Sequence, residues 1–198
     1  MALGEVITYR PLRVRTEATA WLGMVIFLGS WAMMFAGLFF AYGMLRMRAL
    51  HWPPEGTPTL PVVLPAINTL VIAASSVCLQ RALETVRVGR LARVTLLIGA
   101  ALLLGLTFVL LQLTLWMGLW KAGFVLSTGG TYGSVFYALT FFHAAHVGIG
   151  VLALAYLLVR AAQGALNPGR HLVLRLWTAY WHFVGGVWLI LFTTLFVL

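Results

Sequence analysis

The chain has 198 residues, 62% of them hydrophobic and only 9% charged, with a mean hydropathy of +1.00. Soluble domains carry roughly 25% charged residues, so this composition excludes an ordinary soluble fold and marks an integral membrane protein. The formal net charge of +9 does not point to nucleic acid, because the basic residues sit in the tail and loops, where membrane topology places them.

Residues 1–20 carry Glu5, Arg10, Arg13, Arg15 and Glu17 and no small-residue cleavage site after an apolar core, so no cleavable signal is expected there. Five charge-free stretches follow, at about 21–43, 60–80, 94–120, 134–159 and 176–198. Each meets the roughly 20 apolar residues needed to cross a ~30 Å hydrocarbon core. Backbone groups in lipid must be satisfied within the segment, which predicts helices. The expectation is an all-α bundle of five transmembrane helices, one membrane domain over 1–198. The N-terminal tail and the loops on its side hold ten Lys and Arg, the opposite side three. That asymmetry predicts a cytoplasmic N-terminus and a periplasmic C-terminus.

The first span carries Gly23, Ser30 and Gly37 at seven-residue spacing with Ala41 beyond, a small-residue packing face that lets another helix approach closely. The proline-rich connection "WPPEGTPTLPVVLP" leads into span two, where Asn68 and Ser75 share a face with Thr69 and Ser76 beside them. Thr107 and Thr114 recur likewise in span three. Such groups commonly bond between helices, at roughly 0.6 to 2 kcal/mol each. Trp21, Trp52, Trp116, Trp120 and Tyr132 fall near span ends, where aromatic rings sit at headgroup level. "NPGR" marks a turn before span five. Cys78 is the sole cysteine, which excludes an intrachain disulfide or a CxxC site.

The chain has no Asp, and its four Glu lie outside the spans or at a span end. Ion-coupled carriers and pumps normally need an ionisable group at depth. Here only His143, His146 and His182 qualify. One reading makes them neutral packing residues, bonded to Thr140, Thr178, Tyr180 or a backbone carbonyl. The other is a haem held by His146 and His182, which fall about 18 and 20 Å below the outer surface. Three imidazoles without a carboxylate or thiolate make a poor metal site.

Four stretches carry a resemblance: "WLGMVIFLGSWAMMFAGLFFAY", "WPPEGTPTLPVVLPAINTLVIAASSV", "GGTYGSVFYALTFFHAAHVGIG" and "YWHFVGGVWLILF". In this order they resemble subunit III of the haem–copper oxygen reductases, in the short five-helix bacterial form. The resemblance implies a subunit with no active site, haem or copper of its own, the metals lying in partner subunits. It implies packing on the catalytic subunit I, beside subunit II, in a bacterial inner membrane. It also implies phospholipid held in a cleft between the family's first two helices and the rest, and support of proton uptake. Asn68, Ser75 and Ser76 match the family's "NT…SS" helix, His143 and His146 its "FH..HV", and Trp181 with His182 its "YWHF". These are the candidate lipid or subunit-interface residues. Three positions where the family commonly carries an acid hold Trp31, Leu115 and Gly185. Their replacement removes the buried acids that proton collection inside the membrane would use. Alternatives from the same residues are an accessory subunit of a nitric oxide reductase and a stand-alone membrane b-type cytochrome.

Overall fold

The structure is a computed structural model that describes residues 9–54, 57, 60–125 and 129–197. Five α-helices follow one another: α1 (Tyr9–Arg48), α2 (Val63–Arg87), α3 (Leu91–Lys121), α4 (Gly130–Ala162) and α5 (Leu172–Phe192), the last continued by a π-helical turn over Thr193–Val197. All five are long and apolar enough to cross a membrane. Glu5, and Glu55 in the proline-rich connection, lie outside the described residues.

The helices overrun the charge-free stretches that announce them. α1 starts at Tyr9 instead of about 21, and α2 runs to Arg87 instead of about 80. Arg and Glu are compatible with helix once their heads reach the interface, so charge ends the hydrocarbon segment without ending the helix. What ends the helices is backbone chemistry. α3 and α4 each close in a glycine of positive φ, Gly123 (80°) and Gly164 (67°). Beyond each, an N–H reaches back to the third-last helical carbonyl, Phe124 to Leu119 and Ala165 to Arg160, both at 3.0 Å. Pro65 stands in the first turn of α2, where its missing N–H has no intrahelical partner to lose. The "NPGR" turn forms as expected, with the Asn167 carbonyl accepting from Arg170 N–H at 2.9 Å and its side chain from Gly169 N–H at 3.0 Å.

α2, α3, α4 and α5 pack in a closed ring, each against the next, and α1 lies outside it against α4 and α5. Two contacts pin α1 near its ends. The Arg175 guanidinium stands over the Trp21 ring at 4.7 Å, and the Tyr42 hydroxyl donates to the Thr194 carbonyl at 3.1 Å. Trp52 then anchors the proline-rich loop, edge-on to Tyr42 and Tyr132 at 5.4 and 4.9 Å.

Candidate functional site: a polar and aromatic seam between four helices

The motif of α5 meets the motif of α2 across the ring. Trp181 is fully buried where four helices converge. Its indole N–H donates to Ser75 Oγ at 3.1 Å, and that hydroxyl donates to the Ala101 carbonyl of α3 at 2.8 Å. One bond pair thus ties α5, α2 and α3. The ring has room only because two neighbours lack a side chain. A Cβ on Gly150 of α4 would stand 2.5 Å from the Trp181 ring, and one on Gly105 of α3 3.1 Å.

The pattern repeats two turns on. Trp188 donates to Thr69 Oγ1 at 3.0 Å and packs edge-on to Phe108 at 4.9 Å and tilted against His143 at 5.4 Å. Asn68, one residue from Thr69, donates to the Phe108 carbonyl of α3 at 3.3 Å. On the α4 side, the Tyr180 hydroxyl donates to the His146 carbonyl at 2.9 Å. Asn68, Ser75, Trp181 and His143 therefore belong to one seam. Ser76 lies at its edge, 3.5 Å from where a Cβ on Gly185 would stand.

The histidines take three different places. His143 is buried among Phe35, Phe108 and Trp188, and neither ring nitrogen has a protein partner among the described residues. His146 lies between α4 and α1, its Nδ1 paired with the Phe142 carbonyl of its own helix. Trp31 and Phe35 cover its ring edge-on. His182 points out of the ring on the other side of α5 and meets Gln80 Oε1 of α2 at 3.3 Å. The bis-histidine haem arrangement is therefore not formed, because α5 turns Tyr180 toward His146 and His182 toward α2.

Other expectations need correction. Thr140 and Thr178 donate to Phe136 and Leu174 of their own helices, at 2.9 and 2.8 Å, instead of to a histidine. Thr107 and Thr114 are exposed and bond back to Leu103 and Leu111. A threonine hydroxyl reaches the carbonyl three or four residues back within its own helix, and that local bond wins wherever no neighbour is aligned. Trp116 and Tyr132, which lie toward the ends of α3 and α4, turn their rings into the core.

The three acid positions answer to separate neighbours. Trp31 replaces a carboxylate with a ring against His146; Gly185 faces Ser76 and Ile72 of α2; Leu115 is buried on α3. The row Gly23, Ser30, Gly37 and Ala41 is exposed along α1, and a Cβ on Gly23 or Gly37 would meet nothing within 4 Å among the described residues. Gly105 and Gly150 form the bed of Trp181 and Gln80 is the partner of His182, yet none was anticipated. The only local signal was glycine inside an apolar run, which has many causes.

Comparison with known proteins agrees with this motif order. The family profile for Cytochrome c oxidase subunit III matches residues 13–198. The chain is 35% identical to the probable cytochrome c oxidase subunit 3 of Mycobacterium leprae, over 98% of this chain and 95% of that one. It is 35% identical to cytochrome c oxidase subunit 3 of Thermostichus vulcanus, over 89% and 86% of the two chains. The corresponding protein of Synechocystis is 34% identical over 89% and 74%. The chain therefore belongs to the cytochrome c oxidase subunit III family.

Proposed function

We propose that this chain is the non-catalytic third subunit of a haem–copper terminal oxidase in a bacterial inner membrane. It packs on the catalytic subunit I, with subunit II in the same complex, and stabilises it. The haems and copper reside in those partners. Phospholipid fills crevices along its flank, and the N-terminus faces the cytoplasm.

The observation that carries this reading is how the motif residues are used. Trp181, Trp188, Tyr180, Ser75, Thr69 and Asn68 are engaged in bonds between helices of the same chain. Such bonds define a rigid body in lipid. The small-residue row on α1 is left open, where a helix of another chain can approach closely. A rigid body with one unfilled helix face suits a flanking subunit.

The test is to tag the chain, extract it in mild detergent, and record its co-purifying proteins together with the reduced-minus-oxidised visible spectrum. Haem bands arriving with a large catalytic subunit of an oxidase are expected. A haem spectrum from this chain alone, or a nitric oxide reductase as the partner, would overturn the proposal.

A further inference from the structure

The layer of the ring around Trp188 takes one inward residue from each helix: Asn68 from α2, Gln112 from α3, His143 from α4 and Trp188 from α5. Their common level follows from the contacts. Asn68 Nδ2 donates to the Phe108 carbonyl, one turn of α3 before Gln112. Trp188 packs against both Phe108 and His143, and its N–H reaches Thr69, next to Asn68. α3 and α4 run antiparallel, with Gly99 facing Leu158 and Gly105 facing Val151. Gln112 lies seven residues beyond Gly105, and Ala144 seven before Val151. Gln112 therefore stands level with Ala144 and its neighbour His143.

Three of these four side chains are polar, and each is at most 2% exposed. Five of their atoms have no protein partner among the described residues: Asn68 Oδ1, both amide atoms of Gln112 and both ring nitrogens of His143. A buried donor or acceptor left unpaired forfeits its full cost of desolvation, and five together would rival the net stability of a whole domain. The layer around Trp181 has no such debt, because Trp181, Ser75 and the Ala101 carbonyl close on one another.

The chemistry of the set suits water. The Gln112 amide and one His143 nitrogen offer hydrogens, while Asn68, Gln112 and the other His143 nitrogen offer lone pairs. Water donates and accepts, and a buried water typically satisfies about three such groups. A cation would find one imidazole and two amides with no carboxylate or thiolate, a poor donor set. The row of unpartnered atoms also continues toward the surface. Trp116, one turn beyond Gln112, is buried with its indole N–H unpartnered among the described residues. It lines a groove of about 420 Å³ between the end of α3 and the start of α4, with Trp120, Ser134 and Tyr137.

We propose that Asn68, Gln112 and His143 form a binding site for water inside the bundle. The water joins α2, α3 and α4 at the level where Trp188 joins α5 to α2. This site belongs to the chain itself and does not depend on which catalytic subunit the chain accompanies.

Two tryptophans of equal burial provide the test. Trp188 and Trp181 are both fully buried, and only Trp188 adjoins the proposed water. The tagged wild-type complex would be exposed to a brief X-ray pulse, which turns bound water into hydroxyl radicals in place, and its oxidised residues identified by mass spectrometry. Oxidation of Trp188 and His143 with Trp181 spared is expected. Gln112→Met keeps the length of the side chain and removes both amide atoms, so it should abolish oxidation at Trp188 and His143. Equal oxidation of the two tryptophans would overturn the site. So would the sparing of both, which would mean that the three polar side chains bond directly to one another. Oxidation of Trp188 and His143 that persists in Gln112→Met would overturn it as well. If that variant fails to fold, the comparison of the two tryptophans in the wild type still decides.

Discussion

α1 and the ring of α2 to α5 are equally suited to the membrane, but they are built on different terms. Only 6% of the most apolar stretch of α1 is buried, against 44% in α5. In the ring, Gly105 and Gly150 face inward and admit a tryptophan. α1 presents its glycines outward, where none of the described residues comes within 4 Å of a Cβ. In lipid there is no hydrophobic force driving helix against helix, so close packing and interhelical hydrogen bonds decide which helices stay together. The ring has both. α1 has aromatic contacts on one face and an open face on the other, which makes it the helix suited to a partner.

Substitutions can break this contrast, and they rank by how much of the seam they remove. Trp181→Ala should be the most damaging. It deletes a fully buried ring and the Ser75 bond, leaving a cavity between four helices, and large-to-small changes of this kind cost about 3–5 kcal/mol. Thermal unfolding of the purified chain in detergent, followed by circular dichroism, should show a large drop or no folded chain. Gly150→Ala comes next, since its Cβ collides with the same ring, and overpacking costs roughly 1–3 kcal/mol. In the double variant Gly150→Ala with Trp181→Phe, much of that loss should be recovered, because the smaller ring vacates the space. Ser75→Ala removes the hydroxyl that links Trp181 to Ala101 and should cost about 0.6 to 2 kcal/mol. His182→Ala should be the mildest of the four, about 0.6 kcal/mol or less, because the Gln80 contact is exposed. Its effect should fall on yield of the assembled complex more than on turnover per complex. Normal yield with an inactive enzyme would contradict that.

The five spans were legible in the sequence because each is a long run without charge. The seam was only half legible. "NT…SS" and "YWHF" stood out as polar groups in apolar runs, and their meeting depends on α2 and α5 running antiparallel at one register, with Trp181 opposite Ser75 and Trp188 opposite Thr69. No local pattern encodes a contact across 106 residues. The histidines illustrate the same limit. Equal depth in the bilayer makes His146 and His182 a candidate pair, but depth says nothing about azimuth, and α5 turns the two away from each other. The row on α1 is visible in the sequence from its seven-residue spacing alone. Whether its partner lies within the chain is a question of what remains after the other helices have packed.

The most direct test combines both halves of the contrast in one substitution. Gly37→Leu places a branched side chain on the open face of α1, where a Cβ meets nothing within 4 Å among the described residues. The measurement is the amount of haem-bearing catalytic subunit that co-purifies with tagged Gly37→Leu relative to the wild type, with thermal unfolding of the tagged chain alone recorded alongside. The account predicts unchanged unfolding and a marked loss of the catalytic subunit. Full recovery of the catalytic subunit, or a chain that no longer folds, would contradict it.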